Sequence, residues 1–311
     1  MDTPQSLSAT ILMATFNGEK FLAEQLDSLA AQTFTDWHLF VSDDGSSDGT
    51  LAILKGYQEL WGPDKITIRN GPQKGFAQNF LSLACDKHIK SDFYAFCDQD
   101  DVWMPEKLKV AIEHIHSSSS SQQVYAYGGR TIYVDEKLKP LGHSPIFVFP
   151  RTFRNALIQN IAGGNTIVFN QAAKNLLEKS GVVSAVAHDW WLYQLVTATG
   201  GCFYYDSKPF VFYRQHADSA IGSNQSLKSH IVRLFFLING RYSDWINQNL
   251  KCLSANVDLF TAESIDTLCT FKKMRKAKIS DRIRLLKACG LYRQTLRGTI
   301  SLHFFTVLNR L

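Results

Sequence analysis

Along the first 116 residues, short continuous apolar runs alternate with stretches whose apolar residues recur every three or four positions. Thr10–Thr15 is such a run, and Phe21, Leu22, Leu26, Leu29 and Ala30 after it keep helical spacing. The pattern repeats with Trp37–Val41 and then Leu51, Ile53, Leu54, Tyr57 and Leu60. It returns with Lys65–Ile68 followed by Phe76, Phe80, Leu81 and Leu83, and a fourth time with Phe93–Cys97 and a helix whose first turn suits Pro105. Four strand–helix units with short connections predict an α/β fold, a parallel sheet covered by helices on both faces.

Past residue 116 the alternation stops. The serine run 117–121 reads as a flexible loop. Val124–Tyr127, Thr131–Val134, Thr166–Phe169, Phe203–Tyr205 and Phe210–Tyr213 read as strands, with helices after residue 169 and near Val186–Trp191. From Leu227 onward the spacing is helical. The expected organisation is therefore one domain over 1–225 in two parts, the strand–helix alternation of 1–116 and the mixed pattern of 117–225, with a helical C-terminal region over 226–311.

Charge changes this picture at one end. Of the 33 Lys and Arg residues, eleven lie in 271–311 beside a single acid, Asp281, so that segment carries +10 and the remainder −5. Its basic positions interleave with Ile279, Ile283, Leu286, Leu296, Ile300 and Phe304, a pattern that suits an amphipathic helix on an anionic membrane surface. The opposite use is packing of the apolar faces on the catalytic domain with the cations solvated. The longest apolar stretch near this end, Leu234–Ile238, is far too short to span a bilayer, residues 1–10 have no secretory signal character, and six scattered cysteines without a CxxC pair fit a reducing cytoplasm. No nucleic-acid-binding module is recognisable.

The candidate chemistry sits after the strands. Asp98, Asp100 and Asp101 crowd three carboxylates into four positions, a costly arrangement unless a cation joins them. Thr15-Phe-Asn17 follows the first strand and Ser42-Asp-Asp-Gly-Ser46 the second, so three polar signatures share the carboxyl end of the sheet, where α/β folds bind ligands. An aspartate on a divalent ion whose other ligands are phosphate oxygens suits Mg2+ or Mn2+ on a nucleotide diphosphate. Asp43 and Asp44 suit hydrogen bonds from a base or ribose. Asp189, between His188 and Trp190-Trp191, suits a general base of raised pKa, and His216 a metal ligand that would favour Mn2+. No G-x-G-x-x-G and no P-loop sequence occurs, which disfavours dinucleotide and P-loop enzymes. A sugar nucleotidyltransferase would want a Gly-rich basic loop after the first strand, where Thr15-Phe-Asn-Gly18 stands instead. A non-catalytic carbohydrate- or nucleotide-binding protein would keep every motif, and only turnover separates it.

Taken in order, Met13–Gly18, Ser42–Asp48, Lys74-Gly75 with Asn79, Cys97–Trp103, Gly163-Gly-Asn165, His188-Asp-Trp190 and Tyr213-Arg-Gln-His216 resemble the family 2 glycosyltransferases, and in particular their rhamnosyltransferase-like branch of bacterial surface-polysaccharide (O-antigen) biosynthesis. The resemblance spans about residues 8–220. It implies a GT-A fold, a Rossmann-like mostly parallel central sheet with a helical C-terminal extension. It also implies an inverting, metal-dependent transfer of a sugar, rhamnose from dTDP-rhamnose or else a UDP-hexose, to a glycan or lipid-linked acceptor. Thr15, Asn17, Asp43, Asp44, Lys74, Asn79, Asp98, Gln99 and Asp100 would then bind the donor, Asp100 and His216 the Mn2+ or Mg2+, and Asp189 would be the base. Asp101, Trp103, Gly164, Asn165, His188 and Trp190 would lie at the acceptor. Many relatives have an acid where His188 stands, and the Gln-x-x-Arg-Trp signature of processive synthases is absent. The expected location is cytoplasmic, peripheral on the inner face of the membrane.

Overall fold

The computed structural model describes residues 7–120, 122–216 and 240–308. Its centre is a seven-stranded sheet in the order β10-β6-β9-β4-β1-β2-β3. These strands are β1 (Ala9–Thr15), β2 (Trp37–Asp43), β3 (Ile66–Asn70), β4 (Phe93–Cys97), β6 (Tyr125–Gly129), β9 (Val168–Asn170) and β10 (Cys202–Asp206). The first four run parallel, joined by α1 (Leu22–Ala30), α2 (Thr50–Trp61) and α3 (Phe76–Ala84). β6 and β10 pair in parallel, whereas β9 runs antiparallel to both its neighbours. The sheet is thus mixed, mostly parallel.

The continuous apolar runs have a simple cause. Successive strand residues point to opposite faces, and both faces are covered. Tyr94 and Phe96 of β4 enter one core, while Phe93, Ala95 and Cys97 enter the other. The second core is roofed by α1, α2 and α4 (Lys107–Ser118). The first is roofed by α3, α6 (Gln171–Ser180), α7 (His188–Ala198) and the C-terminal helices.

A second sheet of four strands, β5-β11-β7-β8, lies beside the acidic cluster. It comprises β5 (Val102–Trp103), β7 (Ile132–Val134), β8 (Pro140–His143) and β11 (Val211–Arg214). β5, β8 and the single turn α5 (Phe153–Ala156) have no counterpart in the sequence reading, since two to four residues set up no period. Two boundaries move. Residues 117 and 118 belong to α4, and the side chains of Ser117 and Ser119 bond back to the carbonyls of His114 and Ile115, closing the helix end. The strand expected over 166–169 is Val168–Asn170, because Gly164–Thr166 forms a 3-10 turn first.

Helices α8 (Arg241–Ser254), α9 (Ala262–Lys276), α10 (Ile279–Cys289) and α11 (Leu296–Val307) close the chain. The expected 225/226 boundary, Leu234–Ile238 and the start of the helical pattern at Leu227 fall outside the described residues, as does Ser121. Ile246, Leu253, Phe271, Met274, Leu286 and Leu302 join the same core cluster as α7, so the C-terminal helices are packed on the catalytic fold. All six cysteines are free thiols, and among the described residues no helix is long and apolar enough to cross a membrane.

Candidate active site

The strand order places β1 between β2 and β4, with Thr15 in register with Asp43 and Met13 with Cys97. The three polar signatures therefore emerge side by side where strand order reverses, the crevice in which open α/β sheets hold ligands. β9 runs the other way, so its start, the Gly164–Thr166 turn, arrives at this same end. So does the first turn of α7, which carries Asp189.

At the ends of β1 and β2, buried Asp43 organises the loop. Its carboxylate accepts from Thr15 Oγ1 at 2.8 Å, Ser46 Oγ at 2.6 Å, and the amides of Gly45 and Ser46. Asp44 accepts from the amides of Gln73 (2.6 Å) and Gly75 (2.9 Å), so it shapes the loop that presents the exposed Lys74. Asn17 sits at φ 47°, and its Oδ1 accepts from the Ser47 amide at 2.8 Å. Gln99 clasps the backbone of Phe16, accepting from its amide at 2.9 Å and donating to its carbonyl at 3.0 Å. Asn79 is buried, bonded to the Ser42 carbonyl at 2.8 Å, and braces this loop from beneath. Phe16 was no candidate in the sequence reading, yet it stands between Thr15 and Asn17 with its side chain 57% exposed, a flat apolar face beside the loop.

The acidic cluster is built in two tiers. In the upper tier, Asp100 Oδ2 lies 2.7 Å from His216 Nε2. In the lower tier, fully buried Asp101 accepts from Asn165 Nδ2 at 2.5 Å and from the Arg214 amide at 3.1 Å. Burial first, then the neighbouring carboxylates, push the acid groups of Asp98 and Asp101 above their usual range. Such mutual repulsion is what a divalent cation at Asp100 would cancel. Trp103 is buried beneath the cluster with Lys107 Nζ 3.3 Å from its ring centroid, and burial lowers that lysine to about 7. Among the described residues no group of three or more His, Cys, Asp or Glu gathers for a metal. The pair Asp100–His216 nonetheless fits one: a carboxylate oxygen and an imidazole nitrogen already face each other, and phosphate oxygens are the usual remaining ligands of such an ion.

Arg214 escaped the sequence reading although it lies in the Tyr213–His216 motif. Wholly buried, it donates from Nε to the Asp100 carbonyl at 2.8 Å and from Nη2 to Glu24 at 2.6 Å, and bonds the Glu136 carbonyl. It ties the end of β11, and so His216, to the acidic turn.

Asp189 faces the cluster closely enough for its charge to raise Asp98. Its carboxylate accepts from the Gly164 amide at 3.1 Å and the Trp190 amide at 2.6 Å, and the Asn160 side chain bonds it as well. Burial outweighs these bonds and pushes its pKa up to about 6. Trp190 is buried, its Nε1 donating to the Ala156 carbonyl at 2.7 Å. His188 is stacked on Phe80 at 3.9 Å and edge-on to Phe96, neither ring nitrogen has a hydrogen-bond partner among the described residues, and burial lowers its pKa to about 3. It is a neutral ring pressed against Gly164, where a Cβ would come within 2.4 Å of its Nε2. Of the six residues expected at the acceptor, then, Asp101, Trp103, Asn165, His188 and Trp190 have buried side chains that frame the site from below, and Gly164 contributes its amide.

The sequence profile described as Glycosyl transferase family 2 matches residues 10–177, the segment that builds β1 through α6 and the acidic turn. The chain belongs to this family. It is an enzyme of sugar transfer with the GT-A architecture, taking a nucleotide-sugar as donor. It is 33% identical over 250 residues to the dTDP-rhamnosyl transferase RfbG of Shigella flexneri, covering 78% of this chain and 84% of that one. It is 27% identical over 168 residues to the UDP-Glc:alpha-D-GlcNAc-diphosphoundecaprenol beta-1,3-glucosyltransferase WfgD of Escherichia coli, covering 53% of this chain and 61% of that one. Among solved structures it resembles the mannosyltransferase PcManGT of Pyrobaculum calidifontis in complex with GDP-Man and Mn2+. That match has a TM-score of 0.50 at 15% identity, over 99% of this chain and 88% of that one, and at such identity it speaks for the fold alone.

Proposed function

We propose that this family 2 enzyme is an inverting, metal-dependent rhamnosyltransferase that uses dTDP-rhamnose and extends a lipid-linked glycan for cell-surface polysaccharide. The carrying observation is the Asp100–His216 pair at 2.7 Å, set opposite Asp189 in the crevice where β1, β2 and β4 end. The loop shaped by Asp43, Asp44, Thr15, Asn17 and Asn79 receives base and ribose, with Phe16 stacking on the base and Gln99 holding it in place. Lys74 and Asp98 approach the diphosphate and the sugar. Asp100 and His216 would hold Mn2+ or Mg2+, which supplies charge neutralisation for the leaving diphosphate.

Asp189 takes the proton from the acceptor hydroxyl. That oxygen attacks the anomeric carbon opposite the diphosphate, so one C–O bond forms as another breaks and the configuration inverts. The Gly164 and Trp190 amides aim the Asp189 carboxylate, and its pKa of about 6 leaves it ionised yet basic at neutral pH. Asp101, Trp103, Asn165, His188 and Trp190 fix the floor on which the acceptor rests. Similarity to RfbG supports the rhamnose donor, and similarity to WfgD supports an acceptor carried on a lipid diphosphate. The basic composition of residues 271–311 and the exposed apolar side chains between Ile279 and Leu308 support work at the inner face of an anionic membrane.

The test is a donor screen. Incubated with Mn2+ and a panel of dTDP-, UDP- and GDP-sugars, the enzyme is expected to release dTDP from dTDP-rhamnose fastest. Preference for a UDP-hexose would overturn the rhamnose assignment, and no release from any donor the transferase reading.

A further inference from the structure

The turn Gly164–Thr166 touches the proposed base and the acidic cluster through consecutive residues. The Gly164 amide donates to Asp189 Oδ2 at 3.1 Å, and Asn165 Nδ2 donates to Asp101 Oδ2 at 2.5 Å. One peptide unit separates the two contacts, and such a unit is planar and stiff, with about 3.8 Å between its Cα atoms. The path continues past Asp101, which accepts from the Arg214 amide at 3.1 Å, while Arg214 Nε donates to the Asp100 carbonyl at 2.8 Å. Asp101, Asn165, Asp189 and Arg214 are all buried.

Other elements hold the rest of the turn. Thr166 Oγ1 accepts from the Gly129 amide at 3.1 Å and donates to the Gly163 carbonyl at 2.8 Å, which fastens the turn to β6. The Phe96 amide donates to the Ile167 carbonyl at 3.2 Å and holds its exit. On Gly164 the His188 ring is packed so closely that a Cβ would lie 2.4 Å from its Nε2. Among the described residues, the side-chain bond from this turn to the acidic cluster is that of Asn165. Asparagine suits the task, because its NH2 donates to a carboxylate and, being neutral, it adds no charge beside Asp189. A leucine of similar size would take that donor from a buried carboxylate, which is costly.

We propose that Asn165 is a positioning residue for the transfer: its grip on Asp101 keeps the Gly164 amide on Asp189 and fixes the spacing between the base and the acidic cluster. Its amide is engaged by Asp101, so it acts through these two carboxylates and not on a substrate. The inference deepens the function proposed above and rests on the base role given there to Asp189.

Released from Asp101, the turn loses its aim and the Gly164 amide leaves Asp189. That bond favours the ionised carboxylate, so its loss raises the Asp189 pKa from about 6. The carboxyl group that senses Asp189 is Asp98, and the adjoining His188 ring is neutral; both stay in every variant. The full-length protein, kept metal-free in EDTA and isotope-labelled at its aspartate carboxyls, is titrated by NMR, the Asp189 signal being the one missing from Asp189→Asn. Its midpoint is expected near 6 in the parent. In Asn165→Leu it should lie about one unit higher. With Mn2+ and the donor chosen by the screen, Asn165→Leu should lose roughly 10²-fold in kcat while donor affinity, by calorimetry, changes less than about threefold. Asn165→Ser, too short to reach Asp101, should move both readings the same way and serves if the leucine variant does not fold. An unmoved midpoint in a folded variant overturns the proposal, as do equal losses of kcat and donor affinity, the mark of general damage. Turnover of Asp189→Asn keeps the two readings apart. If it is near normal, the base role fails; if it is lost while the midpoint in Asn165→Leu stays put, the tie alone fails.

Discussion

Two carboxylates, Asp100 and Asp189, divide the proposed chemistry, and their surroundings differ in kind. Asp189 is buried, with three hydrogen bonds that only partly offset its desolvation, so its folded pKa lies near 6, above the 3.8 of a free aspartate. A base must be ionised to act, so kcat/KM is expected to fall as pH drops below about 6 and to be flat from there to neutrality. Asp189→Asn should lower kcat by roughly 10²–10⁴-fold while donor affinity, measured by calorimetry with Mn2+, stays within about twofold; near-normal turnover in that variant would move the role to another group. Asp100 instead raises its neighbours Asp98 and Asp101 by like charge. Asp100→Asn should therefore abolish metal-dependent donor binding yet leave the metal-free melting temperature equal or higher, because repulsion is relieved. A clear drop in that temperature would mean the His216 contact matters more to the fold than the charge. Asp98, Asp100 and Asp101 stood out in the sequence because three signatures shared one address, and Asp189 because it lies beside two tryptophans. Arg214 did not, since a buried guanidinium that holds the Asp100 carbonyl, Glu24 and the Glu136 carbonyl is recognisable only once residues far apart in the chain are brought together.

Among the elements, periodicity foretold what is long and regular. Strands β1 to β4 and helices α1 to α3 stand where the apolar pattern put them, because burial on both sheet faces imposes that pattern. What it missed is short and set by partners: β5 exists as a strand only because β11 pairs with it. The direction of β9 was likewise invisible, and the site depends on it, since the antiparallel run delivers the Gly164 turn to Asp189. That turn is tight. Gly164→Ala would drive a Cβ into the buried His188 ring, which is sandwiched by Phe80 and Phe96 and has nowhere to retreat. A destabilisation of about 1–3 kcal/mol is expected, read by urea titration, together with a loss of kcat larger than any change in donor affinity. Unchanged stability would show that the turn moves freely and does not set the base.

At the scale of the whole molecule, the basic C-terminal segment takes one of the two uses that its sequence allowed, packing on the fold, and leaves a surface that would suit the other. Phe271, Met274, Leu286 and Leu302 are buried in the core shared with the catalytic fold, so one set of apolar positions is structural. A second set is not covered. Leu296, Ile300, Phe304 and Leu308 follow one another at four-residue steps along α11, each more than half exposed, and Ile279 and Ile283 of α10 are exposed too. Arg282 of α10 donates to the Val307 carbonyl at 3.1 Å, which brings these two rows together. Around them Lys278, Arg284, Lys287 and Arg297 are exposed, and the acid, Asp281, is already paired with Arg284 at 3.0 Å. An apolar row rimmed by cations matches a leaflet of anionic lipid, in which each basic group near the surface contributes about 1 kcal/mol. Removing the whole segment is a poor probe, because it would strip Phe271 and Met274 from the core. The triple variant Leu296→Ser/Ile300→Ser/Phe304→Ser changes exposed side chains alone, so its melting temperature should stay close to that of the parent. The parent should float with anionic vesicles at low salt and less at high salt, while the triple variant should remain at the bottom of the gradient. Equal flotation of the two proteins, or none by the parent, would remove this face from membrane attachment.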